Sequence, residues 1–212
     1  DTSSVIGATS AGKQIFQKRP TNIYEFIEVL SRKCFMPLVF GGGIQSVDQV
    51  RKILFAGADK IAINTAAFKT PELIRDIGRC FGKQCVVVSI DYKNTALGQE
   101  VFIEGGKTAT GVKVIDWVEE VGKLGAGEIL INSIDRDGMG CGYDTDFYLS
   151  VVSHSSVPVI ICGGVGRVED FSKGFFEAQP HALAAANFFH FIEHSDRKIK
   201  KHLAAAGVNV RL

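Results

Sequence analysis

The chain has 212 residues, a net charge of +1 and 46% apolar residues. It is long enough for one large domain or two small ones. Near-neutral charge gives no global field for nucleic acid or an anionic membrane, and the apolar runs are too short to cross a bilayer. Residues 1–12, DTSSVIGATSAG, lack the basic start and apolar core of a secretory signal.

Short apolar runs alternate with amphipathic stretches along the chain. Strands are expected at Pro37–Phe40, Lys60–Ile63, Cys85–Ile90, Glu128–Ile131, Pro158–Ile161 and Ala182–Ala185. Uninterrupted apolar runs of this length suit strands buried on both faces. Helical patterns fall at 22–33, 46–56, 71–81, 114–124, 144–153, 167–178 and 195–206. Ser46 and Thr70-Pro71-Glu72 read as helix starts, and Gly57 and Gly125 as helix ends. Residues 92–111 interrupt the alternation and read as a hairpin inserted after a strand, with Gly105-Gly106 at its turn. Repeated strand–helix units imply a parallel sheet. The five cysteines, Cys34, Cys80, Cys85, Cys141 and Cys162, form no CxxC; their odd number favours a reducing compartment over a disulfide framework. The expected location is cytoplasmic.

Residues 37–68 and 158–189 align without a gap at an offset of 121 (158 − 37), matching Pro37 with Pro158, Gly42 with Gly163 and Gly43 with Gly164. Each copy reads strand, glycine turn, helix, strand, small-residue turn. Two equivalent halves meet naturally around a barrel axis, so the repeat favours a closed sheet. Glycines at a strand end let backbone approach a ligand, and a following helix N-terminus suits phosphate. Two such turns imply two phosphate sites across one cavity. Asn64-Thr65 and Ala186-Asn187 follow the next strands and would supply small residues or donors beside the same cavity.

Asp91 ends an apolar run. On a barrel that position is the catalytic rim, where partial burial raises a carboxyl pKa into the range of a usable acid or base; a turn-capping Asp is the structural alternative. Asp135, Arg136 and Asp137 form a cluster in which one aspartate could meet substrate hydroxyls and the other pair with Arg136. Two other patterns fail. Gly105-Gly106-Lys107-Thr108 is no P-loop, because Val101 stands where the first glycine is required. His190 and His194 have no Glu or Cys to complete a metal set.

VVVSIDYK (86–93), GAGEILINSIDRDGMGCGYDTD (125–146), ADKIAINTAA (58–67), the paired glycine turns and GVNVRL (207–212) together resemble the cyclase subunit family of imidazole glycerol phosphate synthase, HisF. The resemblance runs from about residue 34 to the end. It implies a TIM (β/α)8 barrel with half-barrel symmetry, spanning residues 1–212 as one domain. It implies ammonia supplied by a HisH-like glutaminase partner in a heterodimer, and a bis-phosphorylated ribulosyl aminoimidazole carboxamide as substrate. The products would be imidazole glycerol phosphate and an aminoimidazole carboxamide ribotide. Neither metal nor cofactor is implied.

Residue by residue, the resemblance makes Asp91 one catalytic aspartate. It places substrate and phosphate contacts on Gly43, Asn64, Thr65, Ser133, Asp137, Gly138, Gly164, Val165, Ala186 and Asn187. It puts Lys60 and Glu128 in an ammonia gate at the opposite end, where an ordinary salt bridge is the alternative. Met139 replaces the Thr common after SIDRDG and removes a hydroxyl from the rim. The family's other catalytic aspartate ends strand 1. Counting 121 back from Asp91 passes the start of the chain, and such barrels run to about 250 residues. The first strand–helix unit is therefore expected to be missing, with strand 2 near Ser3–Thr9. Two further readings are open: a HisF-like paralogue delivering ammonia for sugar amidation in surface-polysaccharide synthesis, suggested by CFMPLVFGGG and ANFFHFIEHS, and a truncated, non-catalytic interaction subunit.

Overall fold

The computed structural model describes residues 20–191 and 195–211. The expected strand 2 at Ser3–Thr9, and His194, lie outside them. The elements, numbered in chain order, are α1 (Ile23–Ser31), β1 (Val39–Gly41), α2 (Val47–Phe55), β2 (Lys60–Ile63), α3 (Thr65–Lys69), α4 (Glu72–Phe81), β3 (Val86–Thr95), β4 (Gly98–Ile103), β5 (Thr108–Lys113), α5 (Val114–Leu124), β6 (Glu128–Ser133), α6 (Thr145–His154), β7 (Val159–Cys162), α7 (Val168–Ala178), β8 (Ala182–Leu183), α8 (Phe188–Phe191) and α9 (Ser195–Ala205).

Strands pair in the order β1-β2-β3-β6-β7-β8, every neighbouring pair parallel. Parallel strands in chain order, with a helix between most successive pairs, make the wall of a (β/α)8 barrel. Alternate residues face the helices: Ile61, Ile63, Val88, Ile90, Ile129, Ile131 and Ile161 are almost fully buried there. Each contributes about 1.5–3 kcal/mol by leaving water. The other phase faces the interior and is half-buried, as in the patterns of β2, β6 and β7. Behind the sheet, Tyr92, Phe147, Tyr148, Tyr143 and Phe171 form a chain of edge-to-face and tilted rings with centroids 5.0–6.4 Å apart. Their hydroxyls are spent on strand-end loops: Tyr148 donates to the Cys162 carbonyl at 2.5 Å and Tyr143 to the Ala184 carbonyl at 2.9 Å.

The repeat is physical as well as sequential. The Gln45 amide donates to Gln49 Oε1 at 2.7 Å, and 121 residues on the Gly166 amide donates to Asp170 Oδ2 at 2.9 Å. At the other end of the strands, the Leu38 amide donates to Asp59 Oδ2 at 2.7 Å and the matching Val159 amide to His181 Nδ1 at 3.1 Å. Gly42 and Gly163 both take positive φ, 121° and 98°.

Several expectations need correction. The 92–111 insertion is more than a hairpin, because β3 continues to Thr95 and pairs antiparallel with β4 before β5 is added. Its second turn does hold Gly105-Gly106, at φ 69° and 77°. The short helix α3 was not expected at all. The last strand covers two residues, Ala182–Leu183, rather than four. All five cysteines are free. Among the described residues, no helix is long and apolar enough to cross a membrane.

Candidate active site

The interior phase brings Asn64, Asp91, Asn132 and Cys162 to the C-terminal rim. Asp91 and Asn132 are register partners, as are Asn132 and Cys162. Asn64 closes the row, since its Nδ2 donates to Asp91 Oδ2 at 2.9 Å. Burial pushes the Asp91 carboxyl above its ordinary range. The amides of Asn132 and Asn64 pull it back, and the charge on Asp137 adds to the rise. The Cys162 thiol is pushed up to about 11, first by burial, then by Asp137 and Asp91. It stays protonated at neutral pH and is no nucleophile. Among the described residues the rim therefore offers Asp91 as a carboxyl fit for proton transfer, flanked by the neutral Asn64, Asn132 and Cys162.

The second-half turn forms a cradle lined by Asp137, Gly138, Gly163, Gly164, Val165, Ala185, Ala186 and Asn187. Of the second-half residues expected to touch substrate or phosphate, Asp137, Gly138, Gly164, Val165, Ala186 and Asn187 meet there, and Ser133 does not. Gly164, at φ 98°, carries its carbonyl to the Gly142 amide at 2.7 Å, and a Cβ on it would lie 2.1 Å from the Gly142 oxygen. A Cβ on Gly138 would reach 3.1 Å from Asn187 Nδ2, so loop and turn enclose the cradle together.

The first-half turn is more open. Gly43 has φ 65° and nothing within 4 Å of a built Cβ. Thr65 Oγ1 accepts from the Glu104 amide at 2.9 Å, which leaves its hydroxyl proton free to donate elsewhere. The same β4–β5 turn is tied to α3 by the Lys69–Glu104 ion pair and to β3 by Lys93, whose Nζ donates to the Gly106 carbonyl at 2.9 Å.

Two expectations at the rim change. Ser133 is fully buried on the helix side, beside the Tyr92 phenol without a well-formed bond, so its side chain does not reach the cavity. The β6 residue that does is Asn132, one position earlier, which sequence reading passed over; the phase of LINS is its only signal. Arg136 pairs with neither neighbouring aspartate. Its Nε stands 3.9 Å from Asp144 and its Nη1 donates to the Gly142 carbonyl at 3.4 Å. Asp135 instead accepts from the Asn94 amide at 2.8 Å. The loop curls away from its own charges, leaving Asp137 exposed at the mouth.

Lys60 and Glu128 form an ion pair at the opposite end, reaching across β3 from the first residues of β2 and β6. Both side chains are about one-quarter exposed, at 27% and 23%. No group of three or more His, Cys, Asp or Glu is placed to hold a metal among the described residues.

The fold defines a (β/α)8-barrel enzyme with a sequence repeat across its two halves, and it carries Asp91 at the C-terminal ends of the strands. The family described as histidine biosynthesis protein matches residues 13–195. The imidazole glycerol phosphate synthase subunit HisF of Natranaerobius thermophilus is 48% identical over 188 residues, covering 89% of this chain and 75% of that protein. The chain belongs to this histidine-biosynthesis family, among relatives of the HisF subunit.

Proposed function

We infer that the chain acts as the cyclase subunit of an imidazole glycerol phosphate synthase. Its substrate is a bis-phosphorylated ribulosyl aminoimidazole carboxamide, and its products are imidazole glycerol phosphate and aminoimidazole carboxamide ribotide. The observation that carries this reading is the placement of Asp91. It is a carboxyl with a raised pKa on the interior rim, in a chain 48% identical to a HisF subunit.

In this reading the Gly138, Gly164, Val165, Ala186 and Asn187 cradle holds one phosphate, and Gly43, Asn64 and Thr65 receive the other. Backbone N–H groups at such turns suit a dianion because they are unpaired and carry partial positive charge. Fixing both ends of an elongated substrate sets its middle across the rim, where Asp91 stands. Asp91 accepts a proton as ammonia adds to the ribulosyl carbonyl carbon and returns it to the former carbonyl oxygen, which leaves as water when the C–N double bond forms. Asn64 holds the carboxylate in place, and Asp137 faces the substrate from the loop. Ammonia comes from a glutaminase docked at the N-terminal ends of the strands, past the Lys60–Glu128 pair, and the reaction belongs in the cytoplasm.

The test is ammonia-dependent turnover of the bis-phosphate by the full-length protein. Asp91→Asn is expected to cost about 10²–10⁴ in rate. A loss under about tenfold removes Asp91 from the chemistry.

A further inference from the structure

Glu104 takes a backbone conformation that its own side chain resists. Its φ is 56°, in the left-handed region, and Gly105 and Gly106 follow it there at 69° and 77°. Such a φ is uncommon for a residue with a Cβ, whereas glycine adopts it freely. Gln179, at φ 50°, shares the conformation, but it ends α7, where a left-handed cap is ordinary. Glu104 ends no helix; it holds α3 at both ends instead. Its amide donates to Oγ1 of Thr65, the first residue of α3, at 2.9 Å. Its carboxylate pairs with Lys69, the last residue, and accepts from Thr108 Oγ1 at 2.7 Å. The α3 helix needs that support. Five residues are too few for a helix to hold itself in water. Asn64 is a natural cap, yet its side chain makes no cap bond and turns to Asp91, with Nδ2 2.9 Å from Oδ2. Ala67 is buried and Phe68 packs edge-on to Trp117, with centroids 5.0 Å apart, which sets the depth of α3 against the core. Glu104 fixes its two ends. Backbone strain persists where the surroundings over-determine it, and it gathers at ligand sites.

We propose that Glu104 is a positioning residue for the first-half phosphate: its strained turn braces α3 at both ends and fills an acceptor site on Thr65 Oγ1, so that the Thr65 hydroxyl proton is given to a phosphate oxygen. The proposal rests on the reading of Thr65 as a phosphate contact. A hydroxyl has one proton and two acceptor sites; with the Glu104 amide on one acceptor site, the proton is left for an anion. Charge alone predicts the opposite effect of this residue. Taking a carboxylate away from a phosphate site should tighten phosphate binding, whereas loss of the brace should weaken it.

The experiment compares Glu104→Gly and Glu104→Gln with wild type in the full chain. Three quantities are read: the melting temperature, the calorimetric affinity for inorganic phosphate, and kcat and KM for the bis-phosphate with ammonium as nitrogen source. Glu104→Gly removes the strain together with the carboxylate arm of the brace. It should melt within about 2 °C of wild type or higher, because relief of a left-handed side chain offsets an exposed ion pair. Its first-half phosphate should nonetheless bind about five- to tenfold more weakly, with KM raised to match and kcat held within about threefold. Glu104→Gln keeps an acceptor for Lys69 and an amide that donates to Thr108 Oγ1, and should bind phosphate within about twofold of wild type. Wild-type affinity in Glu104→Gly overturns the proposal, and so does a Glu104→Gln that binds as weakly as Glu104→Gly. If Glu104→Gly does not fold, Glu104→Asn decides: Asn tolerates the left-handed region and is too short to span Lys69 and Thr108, so wild-type affinity there overturns the brace. Failure of the site itself is read from wild type alone. A wild type that binds no first-half phosphate removes the reading of Thr65 and the proposal with it, whatever the variants do.

Discussion

Gly43 and Gly164 occupy equivalent places in the repeat, yet substituting alanine should affect them very differently. At Gly164 the new Cβ falls 2.1 Å from the Gly142 oxygen and 2.9 Å from its carbon, both backbone atoms. The turn must open to admit it, with loss of the 2.7 Å Gly142–Gly164 hydrogen bond. Overpacking costs about 1–3 kcal/mol, a left-handed alanine about 1–2 kcal/mol and the hydrogen bond about 1 kcal/mol. Gly164→Ala should therefore lose about 3–6 kcal/mol, a large share of a typical stability of about 5–15 kcal/mol. At Gly43 the φ is 65° but nothing lies within 4 Å. The backbone term alone remains, about 1–2 kcal/mol, or a melting shift of about 2–8 °C for a chain of this size. Gly43→Ala thus folds, and its Cβ protrudes where a phosphate would approach the backbone. Thermal unfolding and calorimetric titration with inorganic phosphate and a bis-phosphate ligand check both variants. The expected result for Gly43→Ala is a phosphate affinity weakened about tenfold, or about 1.4 kcal/mol. Wild-type affinity in a folded Gly43→Ala would refute the first-half site, and wild-type stability in Gly164→Ala would refute the packing argument.

The Asp91 pKa is raised, so the fold favours its protonated form. That contribution is fully present below the unfolded pKa of about 3.9 and is lost as pH rises through the folded value. Asp91→Asn should therefore melt higher than wild type at pH 7, with the gap closing toward pH 3; a gap that widens on acidification contradicts the burial argument. Thr65→Val keeps the shape but removes both the acceptor for the Glu104 amide and the free donor. It should weaken phosphate binding about five- to tenfold and speed exchange of the Glu104 amide, and retention of both properties argues that Thr65 is only a helix start. Lys60→Met breaks the pair with Glu128 at the end remote from Asp91. Turnover driven by glutamine through the glutaminase should fall more than turnover driven by added ammonia, whereas equal losses would reduce the pair to a structural role.

Much of this architecture was legible because apolar runs mark parallel strands and the repeat fixes which turns are equivalent. The same offset relates the Gln45 amide bond to Gln49 Oε1 to the Gly166 amide bond to Asp170 Oδ2, which no composition or period displays. The extension of β3 to Thr95 was hidden because Tyr92-Lys93-Asn94-Thr95 is polar on alternate positions and is held by β4 rather than by the parallel wall. The five-residue helix Thr65–Lys69 is too short to establish a helical period. At the rim, choosing between Asn132 and Ser133 requires the phase of β6, which one residue of error inverts. Sequence adjacency suggests a pair between Arg136 and one neighbouring aspartate, but a tight loop points adjacent side chains apart and brings Asp144 within reach instead.

The account turns on one elongated ligand gripped at both ends. Calorimetric displacement measures that grip directly: inorganic phosphate is bound to saturation, then exchanged for a bis-phosphorylated ligand of the substrate class. Two phosphates should bind per chain, and a single bis-phosphate molecule should release both. Saturation at one phosphate, or release of one phosphate per bis-phosphate bound, would contradict it.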